Sequence, residues 1–298
     1  MSSVLFDAPG PKSRIRHRIY AVAGIVVVLA LIAFVVYRFA DSGQFAGRKW
    51  EWLQYAQVQR DLGAAVVATL EAFALGAVFA MVFGAIFAAG RLSDRAWLRG
   101  ICTFVVEFFR AIPLLILMFV FYYGLPTFGV QTSPLFAVVL GLTLYNGSVL
   151  AEVFRAGVLS LPKGQSEAAY ALGMRKTQVM FTVLLPQAIR AMLPSIISQL
   201  VVLLKDTALG FLVTYPELLY YARYIGTQGA FGRPIVPSTL VAAAIYIVLC
   251  LLLTALATYL EKRNRRNKKH IETTDNRAEQ IVQGAAAGGG AVGGAAGT

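Results

Sequence analysis

The stretch AIPLLILMFVFYYGLPTFGVQTSPLFAVVLGLTLYNGSVLA, residues 111–151, contains no Asp, Glu, Lys, Arg or His. A long charge-free run marks a chain that crosses a bilayer, where each crossing takes about 20 mostly apolar residues. This run is too long for one crossing. Gly124, Pro126, Gly129 and Pro134 interrupt it, dividing it into a span over 101–123 and another over 134–154. Working outward, comparable runs lie at 19–39, 62–90, about 186–204 and 234–260, which makes six predicted spans. The run at 62–90 is broken only by Glu71.

Composition agrees. Apolar residues make up 58% of the 298-residue chain and charged residues 14%, against about 25% charged in a soluble domain. The net charge of +12 comes from clusters beside apolar runs: Lys12, Arg14, Arg16 and Arg18; Arg91, Arg95 and Arg99; Arg155, Lys163, Arg175 and Lys176; and the basic run 262–269. Basic clusters mark cytoplasmic loops, so both termini are expected in the cytoplasm. No aromatic or nucleic-acid motif accompanies the charge, which argues against nucleic acid as a partner. Cys102 and Cys250 make no disulfide framework, and His17 and His270 lie in charged tails where no metal site is visible. The organisation expected is a basic tail over 1–18, an extra first helix and external loop over 19–61, a core of five spans over 62–260, and a basic, Ala/Gly-rich, disordered tail over 261–298.

Along the second span, small residues recur every fourth position: Ala72, Gly76, Ala80, Gly84 and Ala88. Such a stripe lets another helix approach closely. The loop over 161–186 is amphipathic. A short helix is expected over 165–174, with Ala168, Ala169 and Leu172 on its apolar side, Gly173 ending it, and a second piece over 177–184 leading to Pro186 at the foot of the next span. The helix either docks into a partner or lies on the lipid surface.

Glu167-Ala168-Ala169, three residues, Gly173, nine residues, then Val183-Leu184-Leu185-Pro186 resembles the Glu-Ala-Ala loop of the permeases of ATP-binding-cassette (ABC) importers. Val183 in place of Ile is the one departure. In that family the loop forms a coupling helix seated on the ATP-hydrolysing subunit. By this resemblance Glu167, Ala168, Ala169, Gly173, Val183, Leu185 and Pro186 form the ATPase-coupling segment. Three further stretches are similar to the polar amino-acid (histidine, glutamate, glutamine, arginine) branch, and within it to glutamate/glutamine permeases. They are Glu107 through Arg110 to Pro113-Leu114-Leu115, Ala151-Glu152 with Arg155-Ala156-Gly157, and Leu203-Leu204-Lys205-Asp206-Thr207. The family's Gly-Thr before Pro-Leu-Leu is Ala111-Ile112 here, and its Tyr before Ala-Glu is Val149.

The resemblance implies an all-α membrane protein with six transmembrane helices, a MetI-like importer fold and a cytoplasmic coupling helix. It further implies a bacterial plasma-membrane location and a permease, not an enzyme, for a polar amino acid, with glutamate expected and glutamine or aspartate as the alternatives. The expected partners are an ABC ATPase dimer, a second homologous permease chain in a heterodimer, an external amino-acid-binding protein and the bilayer. No cofactor is expected on this chain, with ATP and Mg held by the ATPase. The chain has no Gly-x-x-x-x-Gly-Lys-Ser/Thr motif of its own. The alternative is an ion-coupled secondary transporter or a channel subunit, a class that favours internal repeats and intramembrane carboxylates.

Polar groups deep in spans mark candidate pathway residues. Tyr145, Ser148, Glu152 and Arg155 fall on one face of the fourth span; the alternative for the last two is an internal ion pair. Ser195, Gln199 and Asp206 share a face of the fifth, and Lys205 and Asp206, near its outer end, either hold an extracellular-side gate or, as expected here, pair with each other. Asn146 bonds either a substrate or another helix. Glu71 contacts a substrate ammonium, bonds across a subunit interface or reaches the headgroups. Arg110, Pro113 and Val149 complete the candidates through the family likeness.

Overall fold

The computed structural model describes residues 10–266. Residues 1–9 and residues 267–298, which include the whole Ala/Gly-rich end for which disorder is expected, lie outside the described residues.

Among the described residues ten α-helices follow one another: α1 Pro11–Asp41, α2 Ala56–Arg91, α3 Ala96–Ala111, α4 Leu114–Phe119, α5 Pro134–Leu159, α6 Lys163–Ala171, α7 Lys176–Gln178, α8 Leu185–Asp206, α9 Leu218–Gly226 and α10 Ile235–Arg266. There is no strand among the described residues. Among the described residues five segments are long and apolar enough to cross a membrane: Lys12–Asp41, Ala56–Arg91, Pro134–Leu159, Lys176–Val213 and Ile235–Tyr259.

The sixth expected span corrects the sequence reading. Residues 101–123 do not form one straight helix; Ala96–Ala111 and Leu114–Phe128 meet at 95°. Pro113 causes the break. A proline pushes the preceding residue out of the helical region, and Ile112 is extended at φ −91°, ψ 127°. Pro113 also has no N–H to offer the helix.

The chain forms two compact units, one comprising the residues up to Gly63 with Tyr221–Ala242, the other Ala64–Tyr220 with the residues from Ala243 onward. In the first, Trp52 is buried and its indole donates to the Lys49 carbonyl at 3.0 Å. The Tyr221 hydroxyl donates to the Val58 carbonyl at 3.3 Å, and the Tyr55 and Phe231 rings lie 5.4 Å apart. The apolar side chains of α1, Val26 and Phe34 among them, are exposed.

The second unit is built on close helix approach. Ala72, Ala80 and Ala88 are buried, and a Cβ on Gly84 would lie 3.1 Å from the Gly147 carbonyl oxygen and 3.0 Å from Leu150 Cβ. Gly147 answers from α5, where a Cβ would fall 3.1 Å from the Ala80 carbonyl oxygen. The expected stripe is therefore a backbone-to-backbone seam between α2 and α5. Leu142, Leu150, Met118, Val138, Leu203 and Val213 fill the core around it. The segment entering and leaving α8 is irregular: a π-helical turn at Val179–Leu184, Pro194 inside the helix, and a 3-10 stretch at Thr207–Val213.

Candidate functional site

The loop between α5 and α8 carries the short helix α6. Its end is a left-handed turn: Gly173 has φ +77°, its N–H donates to the Tyr170 carbonyl at 2.9 Å, and the N–H of Met174 donates to Ala169 at 3.3 Å. Only glycine takes such a φ without a steric cost. Ala169 is buried, whereas Glu167 and Ala168 are exposed and Leu172 is 83% exposed. The expected apolar side is thus split. Ala169 faces the protein, and Ala168 and Leu172 face outward. Gln187 of α8 donates to Gln165 at 3.2 Å and to the Val183 carbonyl at 2.9 Å. Lys176 pairs with Asp94 of the α2–α3 connection. Val183 and Leu185 are half-buried, and Pro186 sits exposed in the first turn of α8.

A second group lies where α2, α3 and α5 meet. Arg91, at the end of α2, has a side chain only 9% exposed. Its Nη2 donates to Glu107 at 3.3 Å. Its Nη1 lies 2.9 Å from Glu152 Oε2, an ion pair outside hydrogen-bond angles. Arg155 grips Glu152 with both Nε, at 3.1 Å, and Nη2, at 2.5 Å. Arg110 Nη1 lies 3.3 Å from both oxygens of Glu107. Five charged side chains from three helices thus form one chain of ion pairs. Beside it opens a cleft of about 380 Å³ lined by Arg110, Val149, Glu152, Ser195 and neighbouring residues of α5 and α8.

A third group lies nearer the start of α5 and the end of α8. Asn146 is fully buried. Its Nδ2 donates to Asp206 at 3.2 Å and its Oδ1 accepts from Gln199 at 2.7 Å. This corrects the expected Lys205–Asp206 pair: the hydrogen bond of Asp206 goes to Asn146, and Lys205 is exposed. The predicted face of α5 is also divided. Tyr145 packs on the apolar core, and the buried Ser148 hydroxyl donates to its own helix at the Leu144 carbonyl, 2.6 Å away. Neither lines the cleft. Glu71 is exposed on the outer face of α2, and Pro113 is exposed at the α3–α4 bend.

Two participants escaped the sequence reading. In sequence Arg91 reads as a loop charge, although it lies only three residues after Ala88, the last member of the small-residue stripe. Glu217 is fully buried. Its carboxylate accepts from the backbone N–H groups of Leu219 at 2.7 Å and Tyr220 at 2.6 Å, and from the Tyr246 hydroxyl at 2.7 Å. It therefore caps α9, and its position one residue before an apolar helix and after Pro216 was the available signal. Burial pushes this carboxyl up from the ordinary 4.5 to about 7, against the pull of its three hydrogen bonds.

The described residues are thus helical throughout their regular structure, with an exposed, glycine-terminated helix between two spans and a row of ion pairs where α2, α3 and α5 meet. The chain belongs to the family of binding-protein-dependent transport system inner membrane components, whose pattern matches residues 80–266. A glutamate transport system permease protein of Corynebacterium glutamicum is 43% identical over 220 residues, covering 72% of this chain and 79% of that one. A probable glutamine ABC transporter permease protein of Bacillus subtilis is 35% identical over 195 residues, covering 65% and 89%. Among solved structures, an amino acid ABC transporter crystallised with histidines superposes with a TM-score of 0.65 at 27% identity, over 71% of this chain and 98% of that one. The methionine ABC transporter MetNI, at 21% identity and TM-score 0.60, shares the fold. The chain is a multi-pass permease subunit of a bacterial amino-acid ABC importer.

Proposed function

We propose that this permease carries glutamate inward by ATP-driven alternating access, with α6 as the helix that receives the stroke of a partner ATPase. The observation that carries the coupling role is the outward presentation of Glu167, Ala168 and Leu172 on a helix ended by the left-handed Gly173. Small and apolar groups allow a partner's groove to close tightly over the helix. Glu167 adds a charge for a basic partner residue, and Val183, Leu185 and Pro186 pass the motion to α8. The family supplies the remaining parts: a pair of ATPases that hold ATP and Mg, a second homologous permease and an external amino-acid-binding protein. Both termini then face the cytoplasm, on the same side as α6. The substrate assignment rests on the glutamate permease of C. glutamicum.

The test is reconstitution of the complete importer in liposomes. Labelled glutamate should accumulate only with ATP on the α6 side and binding protein on the other. Accumulation driven by an ion gradient without ATP overturns the importer mechanism. Efficient competition by glutamine or arginine, but not by aspartate, overturns the substrate assignment.

A further inference from the structure

The connection between α1 and α2, residues 42–55, is a built structure. It runs for 14 residues, where about 2–8 usually join neighbouring helices. Two 3-10 turns fill it, Gly47–Lys49 and Glu51–Gln54. Buried Trp52 ties them together through its bond to the Lys49 carbonyl, and the Gln59 amide donates to the Leu53 carbonyl at 2.8 Å. The connection between α9 and α10, residues 227–234, belongs to the same compact unit. Its Phe231 ring meets that of Tyr55, and a Cβ at Gly232 would lie 3.9 Å from Lys49 Cγ. The two connections together carry Arg48, Lys49 and Arg233 against a single acid, Glu51. Arg48, Arg233 and Glu51 are exposed and Lys49 is half-buried. Among the described residues none of the three basic side chains is in an ion pair. The backbone of Arg233 is left-handed, at φ +53°. That conformation costs a residue with a Cβ, and a residue before a proline is normally extended. A cation therefore stands where glycine or asparagine would sit at less cost.

We propose that this basic patch is the docking surface for an acidic face of the external amino-acid-binding protein. The inference rests on the proposed orientation, with the termini and α6 in the cytoplasm; α1 then carries the chain across, and residues 42–55 emerge outside. Lys and Arg are scarce on that side, so topological anchoring does not account for three of them. Cations without internal partners on a pre-formed surface speed encounter with an acidic partner and fix its register. Tyr55, 53% exposed, adds an aromatic contact of the kind enriched in protein interfaces. Residues 42–55 precede the family match, which begins at residue 80, so this half of the patch lies outside the matched core.

The test is ATP-driven uptake by the complete importer in phosphatidylcholine liposomes as the concentration of its binding protein is raised. A triple variant, Arg48→Gln with Lys49→Gln and Arg233→Asn, should need about tenfold more binding protein for half-maximal uptake and regain the wild-type rate at saturation. The gap from wild type should close as salt rises from about 50 to about 500 mM. Unchanged half-saturation, or a maximal rate that excess binding protein does not restore, overturns the proposal. If the triple variant does not assemble, Glu51→Gln decides: removing the one acid should lower half-saturation about twofold, and an unchanged value overturns the proposal. A shift seen only when phosphatidylglycerol is added assigns the patch to lipid headgroups and overturns it as well. Arg48→Cys that reacts with an impermeant maleimide only from the ATP side sinks the orientation itself, whereas reaction from the other side with unchanged half-saturation sinks only this inference.

Discussion

Arg91 shows why a charge near a span end cannot be judged from its position alone. The side chain is nearly buried and touches two carboxylates from two other helices. Removing a buried partner leaves charge uncompensated, at about 3–5 kcal/mol for a fully buried pair. Glu107 is half-exposed, which reduces the cost. Arg91→Met should therefore destabilise the permease by about 2–3 kcal/mol, seen as an earlier thermal unfolding midpoint in detergent. A midpoint equal to that of the wild type would show that the ion pairs are not structural.

Glu217 gives a pH dependence of definite sign. Its folded-state carboxyl titrates near 7 instead of 4.5, so folding favours the neutral form. The stabilising contribution is complete below pH 4.5 and is lost as pH rises through 7, to the extent of about 2–3 kcal/mol. Thermal unfolding followed from pH 4.5 to 8 should show this fall, and Glu217→Gln should flatten that part of the profile, whatever its absolute midpoint. An identical slope in both proteins would assign the pH dependence to other groups. The capping position of Glu217 was legible in the sequence, but its bond to Tyr246 and the partners of Arg91 were not. These depend on which helix lies opposite, and periodicity reports only one helix at a time. The same limit explains Asp206: its neighbour Lys205 looked like the natural partner, yet adjacent positions on a helix diverge by about 100°, and Asn146 across the interface meets it instead.

At the scale of elements the sequence was more informative. The four-residue spacing of small side chains in α2 announced a close helix contact, and α5 meets it with Gly147. Gly147→Leu would drive a side chain into Phe83 Cδ1, 2.8 Å from the position of a Cβ, and into the Ala80 carbonyl at 3.1 Å. Overpacking costs about 1–3 kcal/mol, occasionally more, and here the backbone of α2 has to yield. The variant should express poorly or unfold early in detergent, and normal yield with a normal midpoint would show that the seam can open. Gly173 tests the opposite situation. A Cβ there would touch nothing within 4 Å, so space is free and only φ is constrained. Gly173→Val imposes about 1–2 kcal/mol of backbone strain on α6's exit. It should leave membrane insertion intact while cutting ATP-driven uptake at least about tenfold if the loop reshapes to relieve that strain. The α3–α4 bend was the element least visible beforehand. Pro113 stood inside an apolar run, and hydropathy does not distinguish a straight crossing from one broken at 95°.

For the whole molecule, composition and basic clusters were enough to read a multi-span membrane chain, and the spacing around Glu167 and Gly173 was enough to place it among importers. The cleft was not readable, because its lining comes from α3, α5 and α8, which are far apart in sequence. The first helix stands apart from the family match, which begins at residue 80, and its apolar side chains are exposed along its length. A chain lacking residues 1–41 should still assemble with its partners and support ATP-driven uptake. Loss of assembly would show that α1 forms part of an interface.

The seam between α2 and α5 also supplies a fixed frame for spectroscopy. Two helices in backbone contact have little room to slide, so their outer faces move as one body. Val78 and Val82, 60% and 53% exposed on α2, are natural places for a spin label or fluorophore on that frame. A second label at Thr177, exposed on the α6 loop, would then convert each ATP-dependent change in distance into displacement of the loop alone.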